Sequence, residues 1–458
     1  MATQTLNAHE KAVLATADRQ LVVDALGQII STNAGAWLSP SHPAKDGIEK
    51  EHKPLGSNAL SAADLAAYLA LAGPNHCMDG WSYLSRGLNA YLVGDPHSAW
   101  HFAYYAELRA AQSILSASGC GVFDKWNAVI DVNGDIQRVD LQTGSQRRVL
   151  PTHSMVWLAL RDVLQFSNGG STALAGTTEV FGHSLADLLT YAFPGQTATQ
   201  TAARWISDWT FDIGTGIEDK QFRNRCSYAP HHLTPHVAPI GQVVTFMEDF
   251  WKSLQPTPGA SFLDLDKYLL RRAMITQAVE KIQRRQGNNR TPTPAQVIAE
   301  LDAAYSRMCS AAPTLGYIPR TFFVQDTPAE PLIFSAARNT NPKPPDPQPV
   351  LARATLLLRM ASGVTRRLLI DSGYRKGTEL DFWFAELAIE HGFVNSFKDI
   401  EDDRSALFSD CALAMDDMAA AFYGATAPVT RAKLFSEPSV KPHAICEVNR
   451  IAYWSLQP

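Results

Sequence analysis

The stretch Asp95-Pro96-His97-Ser98-Ala99-Trp100-His101-Phe102-Ala103-Tyr104-Tyr105-Ala106-Glu107-Leu108-Arg109-Ala110-Ala111 decides the fold. An aspartate in the N-cap position accepts from backbone amides, and proline at the first helical position loses nothing, because the amide it lacks has no partner there. Trp100, Ala103, Tyr104, Leu108, Ala111 and Leu115 then keep one face apolar until Gly119. Upstream, Ser61 stands as an N-cap with Asp64 three residues on, ahead of Leu65, Tyr68, Leu69 and Leu71, and Gly73-Pro74 reads as the end of that helix. Asp79 reads as the cap of the next, through Trp81, Leu84, Leu88 and Tyr91 to Gly94. Downstream the period changes. Trp126 to Leu141 reads as two short strands around Val132-Asn133-Gly134-Asp135, where Asn-Gly supplies the positive φ angles of a hairpin turn. Helical spacing returns at Thr152, through Met155, Val156, Leu158 and Val163. Further helices are expected over 183–193, 198–212, 241–254, 263–285, 293–310, 350–372, 377–391 and 401–424. Residues 219–232 read as a polar, charged helix-and-turn segment broken by Pro230.

The expected fold class is therefore mainly α: a helical bundle with a β-hairpin insertion, plus a second C-terminal helical region. Residues 1–60 form an N-terminal extension, 61–255 the bundle with its hairpin near 126–141, and 260–458 the C-terminal helical region. Within the last, Arg338 to Val350 carries Pro342, Pro344, Pro345, Pro347 and Pro349 and reads as loop, neither helix nor central strand.

Composition narrows the function. The chain has 458 residues, 46% of them hydrophobic, which excludes wholesale disorder. Lys and Arg number 40 against 45 Asp and Glu, a formal net charge of −5, so there is no general electrostatic case for nucleic-acid binding, only room for a local basic site. No run of apolar residues is long enough to span a bilayer, and no signal peptide is read at the N-terminus. The six cysteines are scattered singly and no C-x-x-C occurs, so neither a disulfide framework nor a thiolate zinc site is suggested. A reduced, cytoplasmic protein is expected.

The chemistry concentrates in Phe222-Arg223-Asn224-Arg225-Cys226-Ser227-Tyr228-Ala229-Pro230-His231-His232. Cleaving RNA without a metal requires a group that takes the proton of the ribose 2′-hydroxyl, a cation that steadies charge on the phosphorane oxygens, and a donor for the departing 5′-oxygen. Histidine suits the proton work because it titrates near neutrality. Arginine suits the phosphate because its planar fork meets two oxygens at once. A structural reading stands beside this one: a helix end whose arginines bond carbonyls or pair with Glu218 or Asp219.

Arg225, five intervening residues and His231 fit the R-x4-6-H motif, and this part of the chain resembles the HEPN superfamily. Arg223-Asn224 looks like the Arg-plus-polar pair that opens the motif, although seven residues separate Arg223 from His231. The helix from Ala99 to Gly119 and the stretch Thr152-His153-Ser154-Met155-Val156-Trp157 resemble two helices of HEPN-like proteins of bacterial defence loci. The resemblance covers roughly residues 60–255. It implies a helical bundle that dimerises with two motifs across one cleft, and RNA cleavage leaving a 2′,3′-cyclic phosphate, with no metal and no cofactor. Carried over, His231 acts as general base or acid with His232 in reserve, Arg225 holds the scissile phosphate, Arg223 and Asn224 orient the substrate, and Glu107 meets the arginine motif as an orienting or catalytic carboxylate. The expected function is a metal-independent endoribonuclease of a prokaryotic defence or toxin system. Its partners would be RNA and either a second copy of the chain or a protein of a defence complex, with no membrane involved.

The second reading is a non-catalytic HEPN-like scaffold or binding subunit in which the Arg-Asn…His segment is structural. Pro230 distinguishes the two, since it stands directly before His231 where an active motif runs on as helix. His97 and His101 lie one turn apart on one helix face, the spacing of a metal pair, but no H-E-x-x-H accompanies them.

Overall fold

The chain is represented by a computed structural model that describes residues 5–32, 61–123, 126–140, 150–165, 176–195, 213–233, 237–255, 262–287, 290–325, 330–339, 346–374 and 400–456, with 389, 392 and 395 singly. It is mostly helical, as the periodicity implies. The helices that position the site are α1 (Ala8–Leu14), α2 (Arg19–Thr32), α3 (Ala62–Val93), α4 (Pro96–Ala117), α5 (Thr152–Gln165), α6 (Leu185–Ala192), α7 (Ile213–Tyr228), α8 (Ile240–Ser253), α9 (Leu263–Gln286), α10 (Pro294–Ala311), two short helices α11 (Arg320–Val324) and α12 (Leu332–Ala337), α13 (Gln348–Asp371) and α14 (Ile400–Tyr423). The helices expected over 198–212 and 377–391, and the break at 256–260, lie outside the described residues.

The caps around the opening stretch form as read. The Asp95 side chain accepts from the Ser98 amide, Pro96 begins α4, and Gly94 closes α3 at φ 88°. Ser61 and Asp64 make a reciprocal capping box at the start of α3, and Thr293 and Gln296 make another at α10.

Gly73-Pro74 does not end a helix, and Asp79 caps none: α3 runs unbroken for 32 residues with Pro74 buried inside it. An interior proline costs about 3 kcal/mol. Beyond it, Trp81, Leu84 and Leu88 are each fully buried, and burying a large apolar side chain contributes about 1.5–3 kcal/mol. The sum favours continuity. The Ser113 hydroxyl also donates to the Gly73 carbonyl at 2.7 Å, tying α4 to α3 at the proline.

Glycines at a seven-residue spacing explain how closely α3 is sandwiched. A Cβ at Gly73 would lie 3.7 Å from Leu368 and 3.8 Å from Ala117; at Gly80 it would lie 2.5 Å from Leu358 and 3.3 Å from the Ala106 carbonyl; at Gly87 it would lie 3.1 Å from Leu351. Helices α4 and α13 thus both run antiparallel to α3 along one near-straight seam. Helix α13 is buried over nearly its whole length. It begins at Gln348, so the last residues of the proline-rich stretch are helical rather than loop: Pro347 is the N-cap and Pro349 sits in the first turn, where its missing amide has no partner to lose.

After α4 the hairpin forms with a strand more than expected. Strands β1 (Cys120–Val122), β2 (Asn127–Ile130) and β3 (Ile136–Arg138) make an antiparallel sheet in that order, with Cys120 opposite Val129 and Val129 opposite Gln137. The Asp131 carboxylate organises the turn, accepting from the amides of Asn133 and Asp135 and from the Gln137 side chain. The turn at 131–135 was legible because Gly134 takes φ 79°; β1 was not, because three residues show no period.

Gly119 joins α4 to this sheet at φ 85°, and a Cβ there would meet the Asp18 carbonyl oxygen at 2.6 Å. Gly134 has a similar φ of 79° with nothing within 4 Å. Gly119→Ala is therefore expected to lower unfolding free energy by about 2 kcal/mol or more, from strain and overpacking together, and Gly134→Ala by about 1–2 kcal/mol from conformation alone. Equal losses in urea denaturation would contradict the Asp18 contact.

Candidate functional site

Two faces of two helices meet beneath the arginine segment. On α4, His101, Tyr104 and Tyr105 fall at i, i+3 and i+4; on α7, Lys220, Arg223 and Ser227 fall at i, i+3 and i+7. The first turn of α5 brings His153 and Ser154 to the same place. Gly216 permits α7 to approach, since a Cβ there would lie 2.6 Å from the Trp157 ring on α5.

Arg223 is the centre. Its side chain is only 4% exposed. The guanidinium carbon lies 5.1 Å and 5.0 Å from the ring centroids of Tyr104 and Tyr105, and Nη2 is 3.5 Å from His153 Nδ1. Its Nε makes no hydrogen bond. Lys220 Nζ donates to Ser154 Oγ at 3.0 Å. Among the described residues no carboxylate pairs with Arg223 or Lys220. Burying an ion costs several kcal/mol after relaxation, whereas a desolvated cation–π contact returns about 2 kcal/mol. Two tyrosine faces offset part of that cost and leave a positive, under-compensated cluster among the described residues.

Two histidines line it. His153 Nδ1 is 2.9 Å from the Tyr104 hydroxyl, and the two rings stack at 5.7 Å. His101 Nδ1 is 2.6 Å from Ser227 Oγ. Burial, then the charges of Arg223, Lys220 and Arg109, push His153 down to about 4. Burial and Arg223 lower His101 as well. Both imidazoles are thus neutral at pH 7 and can accept or donate one hydrogen bond at each nitrogen. Burial and Arg223 also lower the Lys220 ammonium.

The other predicted residues are placed differently. Arg225 lies about 200° around α7 from Arg223 and is exposed, its guanidinium 5.8 Å from the Phe222 ring. Asn224 is half-buried between them. Helix α7 ends at Tyr228, and Pro230, His231 and His232 form a separate 3-10 turn on which His231 is exposed. Glu107 is fully buried but does not meet the motif arginines. It pairs with Arg353 of α13 at 3.3 Å, and Asp219 takes the same guanidinium at 2.5 Å. Arg353 also donates to the carbonyls of Ala337 and Asn339. His97 does not join His101 in a metal site, and no group of three His, Cys, Asp or Glu among the described residues is placed to hold an ion. Sequence reading gave no role to His153, Tyr104, Tyr105, Lys220 or Ser227. The signal available was their spacing of three and four along α4 and α7.

A groove of about 400 Å³ lies elsewhere, between α2, the start of α3 and the hairpin turn. Leu21, Ala25, Ile29 and Ala67 line it with Asp24 and Asp64, and among the described residues no histidine, lysine or arginine lines it.

No protein-family model matches the chain, nor does any curated protein or solved structure.

The Glu107–Arg353–Asp219 cluster has a definite pH signature. Burial and the neighbouring Asp219 charge hold Glu107 well above the usual carboxylate range, against the pull of Arg353; burial raises Asp219 as well. An acid raised on folding binds more protons in the native state, so it lowers stability as pH climbs above its unfolded value, 4.5 for glutamate. Glu107→Gln should therefore gain on the wild type as pH rises from 4.5. Arg353→Met, which strands two carboxylates, should lose about 3–5 kcal/mol at neutral pH and less in acid. Urea unfolding across pH tests both; parallel profiles for Glu107→Gln and wild type would remove Glu107 from the account.

Proposed function

We propose that the chain is a metal-independent endoribonuclease of a prokaryotic defence or toxin system. The observation that supports this most is Arg223, a buried cation of the R-N-R…H segment with no carboxylate partner among the described residues, set beside neutral His153 and His101 and the Lys220 ammonium. A phosphodiester supplies the negative charge this pocket lacks. In the reaction the ribose 2′-oxygen forms a bond to phosphorus, the bond from phosphorus to the 5′-oxygen breaks, a base takes the 2′-hydroxyl proton and an acid delivers one to the leaving oxygen. The products are a 2′,3′-cyclic phosphate and a 5′-hydroxyl. The HEPN-like resemblance gives proton transfer to His231, with His232 in reserve, and the phosphate to the arginines. Arg225 and His231, both exposed, are open to an RNA strand or to a second copy of the chain.

A different observation favours a second reading, a non-catalytic binding subunit of a defence complex. Tyr228, 77% exposed, stands beside exposed Arg225, Pro230 and His231, and an exposed Tyr with Arg is the composition of a protein-binding patch.

Purified protein incubated with single-stranded RNA in EDTA separates them. The ribonuclease reading expects cleavage with cyclic-phosphate ends, unchanged by the chelator and reduced about 100-fold or more in Arg223→Ala, the scale of losing a positioned charge or proton-transfer group. Intact RNA with the wild type favours the binding subunit, and an undiminished rate in the variant removes Arg223 from the reaction.

A further inference from the structure

We infer that Lys220, Arg223 and His153 form a binding site for a single phosphoryl group, and that the scissile phosphate sits there rather than on the exposed Arg225–His231 turn. The assignment rests on the ribonuclease reading for the identity of the physiological ligand and on geometry for the site itself.

Three elements converge on one point. Helix α7 sends Arg223 and Lys220 to the same side, one turn apart. Helix α4 floors the site with Tyr104 and Tyr105, whose ring faces hold the guanidinium carbon at 5.1 Å and 5.0 Å. Helix α5 contributes His153 and Ser154 from its first turn, the end of a helix at which backbone amides and the dipole favour an anion. The second, independent observation is Arg223 itself: 4% exposed, with Nε unpartnered. Arg225 has neither property. It is exposed to water, where an ion pair contributes little.

Each group has a separate task at a phosphate. Arg223 supplies the planar fork, and Lys220 supplies a compact charge that is already oriented by Ser154 Oγ. The Tyr104 hydroxyl and Arg223 both face His153 Nδ1, so the free ring nitrogen of His153 is the one presented to ligand. Tyr104 is thus a positioning residue for His153.

The site also predicts how its own titration responds to ligand. The groups facing His153 are Tyr104, Tyr105 and Arg109 from α4, Ser154 from α5, and Lys220 and Arg223 from α7. All the charged members of that set are cations. A bound phosphate anion offsets part of that positive field, so His153 must become easier to protonate when phosphate binds.

The experiment follows His153 in the full chain by NMR with ring-labelled histidine. Its resonance is titrated with pH alone, with inorganic phosphate, and with a 2′-O-methyl oligoribonucleotide that cannot be cleaved. The site predicts that both probes move the His153 midpoint upward by a unit or more. Lys220→Gln, at a half-exposed position, and Arg223→Gln should each weaken phosphate binding about tenfold or more, the loss of one charge-assisted bond, whereas Arg284→Gln, on the exposed end of α9, should leave it unchanged. A response to inorganic phosphate with none to the oligonucleotide identifies a free-phosphate or nucleotide site and sinks the scissile-phosphate assignment. No movement of His153 with either probe, or binding that survives Lys220→Gln and Arg223→Gln but fails in Arg225→Gln, overturns the site. Failure to cleave unmodified RNA while His153 still responds overturns the ribonuclease reading alone.

Discussion

The guanidinium of Arg353 on α13 ties α4, α7 and the end of α12 to one buried point. It is 2% exposed and bonds Glu107 of α4, Asp219 of α7, the carbonyl of Ala337 that ends α12 and the carbonyl of Asn339 just beyond it. A charge in that position is tolerated only when its hydrogen-bonding capacity is filled, so the partners are fixed in angle as well as distance. Six residues along α13, Arg359 repeats the device, gripping both oxygens of Asp266 on α9 at 2.8 Å. The two buried arginines of α13 help set the register of α4, α7 and α9 around it, and Ser362 and Thr365 add hydrogen bonds to Trp81 of α3 and Ser113 of α4.

That register creates the candidate site. Tyr104 lies one turn before Glu107 on α4, and Arg223 lies one turn after Asp219 on α7. Fixing Glu107 and Asp219 to one guanidinium therefore presents the Tyr104 and Tyr105 faces to Arg223 a single turn away. Two of the buried arginines stand in contrast. Arg353 has two carboxylates; burial first, and then the Asp219 charge, raise Glu107. Among the described residues Arg223 has none. The polar interior thus holds a charge-paired cluster around Arg353 and, one turn away, a cluster around Arg223 in which cations predominate among the described residues.

What could be read from the sequence follows the range of the forces involved. Caps, helix faces and the Asn133-Gly134 turn depend on residues within four or five positions, and Asp95, Ser61, Thr293 and Gly134 stand where local chemistry puts them. Pro74 misled because its effect is local and the packing that overrides it is not: Leu358 and Ala106, which close on Gly80, are distant in sequence. The seven-residue spacing of Gly73, Gly80 and Gly87 was visible, but only a partner helix on each side gives it meaning. The same limit applied at the site. Arg223 stood out by its neighbours, whereas Glu107 was assigned to the wrong arginine because Arg353 is 246 residues away. His153 needed the fold to bring α5 against α7.

The placement of Arg223 also bears on how an acidic chain could handle RNA. With a net charge of −5, the protein as a whole repels a polyanion, so attraction must come from a field that is local and poorly screened. A guanidinium on an exposed helix face, such as Arg225, is screened by solvent and salt and adds little at distance. A guanidinium under two tyrosine rings, with a second cation beside it and no carboxylate paired with it among the described residues, acts through a lower dielectric. Its orientation is fixed before ligand arrives, and so costs no reorganisation when charge develops on a phosphate oxygen. Burial makes Arg223 costly to the fold and, for the same reason, effective toward an anion.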